Sequence, residues 1–419
     1  MKYLSTRDNA KSFTLSEALE SGLAPDGGLF IPEKFAPSAE FYPKQNYGDF
    51  AAKVLEPFFE GDMLQPKLSE MCRLAFSFPI PLRYRDDKSA VLELFHGPTA
   101  AFKDVGARFL AECFSASSEK RTVLVATSGD TGGAVANAFL SKKNIEVLIL
   151  YPKGRISLRQ EKQITAWGEN IKAFAVNGNF DDCQKIVKEA LSDPELRKQK
   201  NFISANSISI GRLLPQMIYY AKSSLDYLEK KRIAAGFIIP TGNLGNAVAA
   251  LYAKKLGFPI ANIVLATNAN HVIVDYLATG VWAPHKTIAT LANAMDVGNP
   301  SNIERLRALY PDIEELRKDV SAVSVSDTEI SDMIRREFKS SREIFCPHTA
   351  TALVAEKKST GKNWIVVSTA HAAKFESIVE PLIGRVLEVP RSLQALLTRP
   401  SVFQEIEPDL KDFKSFISL

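Results

Sequence analysis

At 419 residues and 46% hydrophobic content, the chain can build two or three domains with substantial cores. Its 52 basic and 48 acidic residues nearly cancel to a net charge of +4, and the basic ones are dispersed, which argues against a nucleic-acid binder. Four separated cysteines (Cys72, Cys113, Cys183, Cys346) form no CxxC pair and five histidines form no HExxH, so neither a disulfide scaffold nor a metal site is expected.

The N-terminal run Met1-Lys2-Tyr3-Leu4-Ser5-Thr6-Arg7-Asp8 carries charge where a signal peptide needs an apolar stretch. No apolar run approaches the ~18 residues of a membrane span. A soluble, cytoplasmic protein is the expectation, with no membrane and no nucleic-acid partner. Residues 1 to about 90 are mixed, with prolines between short helical patterns. Within them Asp26-Gly27-Gly28 signals a tight turn before the apolar run Leu29-Phe30-Ile31.

From about residue 91, apolar runs alternate with amphipathic helical segments. Strands are predicted at 122–126, 145–150, 171–176 and 202–205, with helices opening near Gly132, Ser157, Phe180 and Ile210. Further buried strands are predicted at 237–239, 263–266 and 365–367. Apolar strands separated by helices call for parallel sheets covered on both faces. The fold class is therefore α/β, with two parallel-sheet domains facing each other across a cleft behind a mixed N-terminal region.

In the segment Leu94 to Asp104, Lys103 follows a Gly97-Pro98 turn within an apolar frame of Phe95, Ala100, Ala101 and Phe102. An amine in such surroundings loses hydration, its neutral form becomes accessible, and it can form a Schiff base. The alternative is a helix-start lysine that snorkels to water.

Ligands of open α/β sheets gather at the carboxyl ends of the strands, and several loops there have distinctive chemistry. Pro240-Thr241-Gly242-Asn243-Leu244-Gly245-Asn246 opens a helix and can turn its amides onto a phosphate, or be a plain Gly-rich turn. Thr127-Ser128-Gly129-Asp130-Thr131-Gly132 suits a carboxylate or phosphate and equally reads as an N-cap supplied by Ser128, Asp130 or Thr131. Lys153-Gly154-Arg155-Ile156-Ser157, and Asn206-Ser207-Ile208 with Arg212, add donors for anions. In Val367-Ser368-Thr369-Ala370-His371 a hydroxyl closes a strand, either facing a heterocycle nitrogen or capping a helix.

A lysine in an apolar pocket, a Gly-Asn loop and a strand-end hydroxyl together resemble the pyridoxal phosphate enzymes of the tryptophan synthase β fold, fold type II. More narrowly, the chain resembles the threonine synthases of the long bacterial and fungal form. That resemblance spans Gly22 to Pro32, His96 to Asp104, Thr127 to Gly132, Tyr151 to Ser157, Asn206 to Ile208, Thr241 to Asn246, Asn293 to Val297 and Thr369 to His371. It implies a pyridoxal 5'-phosphate cofactor in a central cleft and Lys103 as the catalytic residue that holds it. Cofactor contacts fall on Asp130, Gly242, Asn243, Leu244, Gly245, Asn246 and Thr369. Substrate contacts fall on Ser128, Gly129, Thr131, Lys153, Arg155, Ser157, Asn206 and Arg212.

The implied division is an N-terminal region 1–90, a domain 91–220 with the lysine and substrate loops, and a larger domain 221–419 with the phosphate loop. The implied reaction is conversion of O-phospho-L-homoserine and water to L-threonine and phosphate, by a monomer or homodimer. A related phospho-lyase releasing a keto acid and a non-catalytic cofactor-binding homologue are the alternatives. Ala100, Val105, Leu244, Asn246 and Ala372 depart from the residues common in the family. Asp130 stands where many relatives of the fold carry asparagine.

Overall fold

The computed structural model describes residues 1–36, 45–361 and 363–417. Strands β1 (Tyr3–Ser5) and β2 (Phe30–Pro32) pair antiparallel, joined through the Asp26-Gly27-Gly28 turn. Between them a helix at Leu15–Ser21 starts at a capping box in which Thr14 and Glu17 exchange hydrogen bonds. A 13-residue helix, Tyr47–Phe59, follows and carries Pro57 inside it, so this region is more regular than its prolines implied.

Strands β3 (Leu82–Tyr84) and β4 (Ser89–Glu93) come next, then β5 (Arg121–Ala126), β6 (Ile145–Pro152), β7 (Ile171–Val176) and β8 (Phe202–Ser204). The chain continues through β9 (Ala235–Pro240), β10 (Ile260–Thr267), β11 (Val320–Ser324), β12 (Trp364–Ser368) and β13 (Gln404–Ile406). Two sheets result. One runs β13-β7-β6-β5-β8, parallel throughout; the other runs β11-β10-β9-β12-β4-β3 and is parallel except at its β3 edge. β5, β9 and β12 are buried at every position, as strands covered on both faces must be.

Both sheets cross the expected divisions at 90 and 220. β3 and most of the β3–β4 hairpin belong with β12, and the late strand β13 edges the β5–β8 sheet. The long helix expected from Ile210 is broken into Ile210–Leu213, a 3₁₀ turn at Leu214–Gln216 and Met217–Lys231. Pro215 lies in that turn and has no N–H to continue an α-helical ladder. The loops after β5, β8, β9 and β12 line one cleft between the sheets.

Candidate active site

The lysine turn is built against the end of β12. Leu94 donates its N–H to the Ser368 carbonyl (2.9 Å), Phe102 to Thr369 (2.8 Å), and His371 returns one to Ala100 (3.0 Å). This pairing holds Ala100 in the left-handed region at φ 54°, which an alanine does not adopt unaided. The buried Asp104 carboxylate folds back onto the N–H (2.9 Å) and hydroxyl (2.5 Å) of Thr99 and clamps the turn. Lys103 is thereby fixed as the first residue of the helix Lys103–Ser115, with Thr369 close by in the same cleft.

Lys103 has no hydrogen-bond or ion-pair partner among the described residues. Burial pushes its amine down to about 8; Asp130 opposes the shift, while Arg212 and Lys374 add to it. Asp130 itself is paired with Lys374, Nζ to Oδ1 at 2.9 Å, and accepts a second hydrogen bond from Gln160 (2.9 Å). Burial alone would raise the Asp130 carboxyl, yet Lys374 and Lys103 outweigh it and hold the group well below the usual carboxylate range. His348 also lines the cleft; burial keeps it neutral, at about 4, and its Nε2 accepts the Ala294 N–H at 3.2 Å. That bond assigns the ring proton to Nδ1.

After β9 the loop Thr241–Leu244 enters the helix Gly245–Lys255 through Leu244 in the left-handed region, φ 61°. None of the N–H groups of Gly242, Asn243, Leu244, Gly245 and Asn246 donates to an acceptor among the described residues. Gly242 packs against the Met295 turn so closely that a Cβ there would lie 2.6 Å from the Met295 Cα. The Asn243 side chain braces the loop, donating to Ser207 Oγ (2.7 Å) and accepting from the Ser301 N–H (2.6 Å). Asn246 accepts from the Tyr219 hydroxyl (2.5 Å) and leaves a buried Nδ2 without a partner among the described residues. Five successive free amides at a helix start form a cradle for a phosphate.

After β5 the cap comes from Thr127, whose hydroxyl accepts the N–H groups of Gly129 (3.0 Å) and Gly132 (2.8 Å). This corrects the expectation that Ser128, Asp130 or Thr131 caps the helix. The hydroxyls of Ser128 and Thr131, and the N–H groups of Ser128, Asp130 and Thr131, therefore have no protein partner among the described residues and suit a carboxylate. Gly129 makes the turn at φ 129°, a conformation that needs a glycine, and does not line the cleft.

Asn206 and Arg212 line the cleft as well. Among the described residues Arg212 is buried without a carboxylate partner: Nη1 donates to the Ala205 carbonyl (2.8 Å) and Nε has no partner. Burial lowers its guanidinium to about 10. The other expected anion ligands lie elsewhere. Lys153 is half-exposed and pairs with Glu405 at 2.6 Å, while Arg155 and Ser157 line a separate shallow depression with Asn293 and Phe375. Ser157 caps the helix Leu158–Thr165 and donates its hydroxyl to the Lys374 carbonyl (2.8 Å). Lys374, Gln160, His348 and Thr127 were not singled out from the sequence. Thr127 had a local signal, a hydroxyl five residues before Gly132; for the burial of Lys374 nothing local gives notice.

An amine kept near neutrality beside a phosphate-shaped ring of free amides, with an unpaired buried Asn246 amide behind it, fits pyridoxal phosphate and defines the class as an enzyme of that cofactor. The family model "Pyridoxal-phosphate dependent enzyme" matches residues 89–369, and the models "Threonine synthase N terminus" and "Threonine synthase, C-terminal" match 2–76 and 347–417. Threonine synthase of Haemophilus influenzae is 40% identical over 96% of each chain. Among solved structures, threonine synthase from Escherichia coli superposes with a TM-score of 0.92 at 36% identity, covering 100% of this chain and 99% of that one. The PLP-bound threonine synthase from Brucella melitensis gives a TM-score of 0.92 at 33% identity, covering 99% and 98%. The chain belongs to the threonine synthase family of pyridoxal-phosphate dependent enzymes.

Proposed function

We propose that this chain is a carbon–oxygen lyase that converts O-phospho-L-homoserine and water to L-threonine and inorganic phosphate. The observation that carries the reading is the presence, in one cleft, of two further anion-binding surfaces besides the amide cradle: the Ser128–Thr131 turn and the unpaired Arg212 guanidinium. A substrate with a carboxylate at one end and a phosphate at the other has the chemistry to satisfy both.

Bound pyridoxal phosphate supplies an electron sink for negative charge developing at the substrate carbons. Gly242 to Asn246 would hold its phosphate through their free amides, and the Thr369 hydroxyl would serve its ring nitrogen. The Lys103 amine would be its point of covalent attachment. The free Lys103 amine, neutral in a good part of the population near pH 8, accepts the proton from the substrate Cα and returns protons later in the sequence. Ser128 and Thr131 orient the carboxylate so that this proton faces the amine. Arg212, with Asn206, binds the phosphate that departs from Cγ and stabilises it as it leaves. Water adds at Cβ. Asp130, tied to Lys374 and Gln160, acts through its charge.

The test is to incubate the cofactor-loaded protein with O-phospho-L-homoserine and quantify threonine against phosphate. Equal amounts support the reading; phosphate with a keto acid and ammonia makes the chain a phospho-lyase of the same fold. Lys103→Ala abolishes turnover, and full turnover by that variant overturns the role given to Lys103.

A further inference from the structure

We infer that Lys374 is a positioning residue for this reaction: by taking up the Asp130 carboxylate, it deprives Lys103 of a counter-ion and keeps its amine free to react. The inference rests on the role given to Lys103 above. Lys374 is fully buried, and its ammonium is held between Asp130 Oδ1 (2.9 Å) and the Thr99 carbonyl (2.7 Å). Gln160 donates to that same Asp130 oxygen (2.9 Å) and Gln163 to that same carbonyl (3.0 Å), so both acceptors are themselves fixed. The backbone around Lys374 is anchored from the other sheet domain: Ser157 Oγ donates to its carbonyl (2.8 Å) and Arg159 Nη1 to that of Ala373 (2.8 Å).

A charge count follows from the groups that act on Lys103. The helix Asp130–Phe139 contributes one carboxylate, the helix Ile210–Leu213 contributes Arg212, and the turn after β12 contributes Lys374. The helix Pro347–Lys358 contributes His348, which burial keeps neutral, and Asp104 on the lysine's own helix is committed to Thr99. One carboxylate thus serves three basic groups. Arg212 does not give up its proton, and Lys374 sits in direct contact with Asp130. Arg212 and Lys103 are both left without a carboxylate partner among the described residues, and of these two Lys103 is the group that can lose its proton. The lowered Lys103 value agrees with this. Two lysines share the site, and geometry divides their work: Lys374 takes the Asp130 carboxylate and the Thr99 carbonyl, and Lys103 is left without either.

The experiment is a spectrophotometric pH titration of the pyridoxal-phosphate-loaded full-length protein, following the absorbance of the lysine–cofactor link, with borohydride trapping and peptide mass to place the link. Lys374→Met frees Asp130 to pair with the Lys103 nitrogen, and the titration midpoint rises by about one pH unit or more. The charge-balanced pair Asp130→Asn/Lys374→Met brings it back to or below the wild-type value. Asp130→Asn alone moves it down, and this opposite sign keeps the inference testable where Lys374→Met does not fold. A Lys374→Met midpoint equal to wild type, or a downward shift absent in Asp130→Asn, overturns the inference. A Lys103→Ala protein that still yields the trapped link overturns instead the assignment of Lys103.

Discussion

Gly242→Ala tests the phosphate cradle at its tightest point. A Cβ at this position meets the Met295 Cα at 2.6 Å, its carbonyl oxygen at 2.7 Å and its carbonyl carbon at 2.9 Å. All three are backbone atoms, so no side chain can rotate away; either the cradle or the Met295 turn must move. The Met295 turn is pinned by the Met295 N–H on the Ala292 carbonyl (2.9 Å) and by the Ala294 N–H on His348 (3.2 Å). The loop is therefore the part that yields, and its amides lose their common focus. Overpacking of this kind costs about 1–3 kcal/mol, which in the binding equilibrium is about 5- to 150-fold. Equilibrium dialysis of pyridoxal phosphate against the apo-protein measures it, with far-ultraviolet circular dichroism to establish that the variant is folded. A folded Gly242→Ala protein with wild-type cofactor affinity refutes the reasoning, because the five amides would then not be what holds the phosphate.

Cofactor uptake by the apo-protein should accelerate about tenfold per pH unit below 8 and level off above it, since the neutral amine is the nucleophile and burial sets Lys103 at about 8. Stopped-flow absorbance reads this, and a rate still climbing at pH 10 points to an ordinary, solvated lysine. Arg212→Met should raise the KM for O-phospho-L-homoserine by about tenfold or more while leaving the chemical-denaturation midpoint unchanged or higher, because a buried cation without a carboxylate partner costs stability. An unchanged KM removes Arg212 from the substrate site. Asp296→Ala strips the acceptor from the Thr290 N–H (3.0 Å), the Thr290 hydroxyl (2.7 Å) and Asn268 Nδ2 (2.7 Å), at about 1–3 kcal/mol. Amides of residues 281–300, which cover part of the cleft, should then exchange faster with deuterium, and unaltered exchange shows that this network does not hold the segment. Burial raises the Asp296 carboxyl to about 6, above its unfolded value, so its contribution to stability is greatest at low pH and is lost as pH rises through about 6.

What the sequence determined by itself is local. Apolar runs bounded by turn residues located β5 and β7 almost to the residue, because a parallel strand covered on both faces is largely apolar and its ends must turn; the exposed Lys172 in β7 did not hide it. The loops at the strand ends were legible for the same reason: glycines, small hydroxyls and Asn cluster where amides have to face inward, and the apolar frame of Lys103 marked it as a candidate. Weaker strands were missed. β11 is partly exposed and β13 is three residues long, and neither carries enough apolar periodicity to stand out.

The tertiary structure decided which polar groups are spent on the protein and which are left for a ligand. Thr127 rather than its neighbours caps the helix after β5, and that frees Ser128 and Thr131. Lys153 and Arg212 look alike as cations after strands, yet the path of the C-terminal segment brings Glu405 to Lys153 while no carboxylate among the described residues pairs with Arg212. Lys374 reads as a surface lysine in any local window; only the packing of the turn after β12 onto the helix Leu158–Thr165 buries it against Asp130. Pairings between residues remote in the chain depend on how both sheets close over the cleft, and no local pattern encodes the distance between two side chains that meet there.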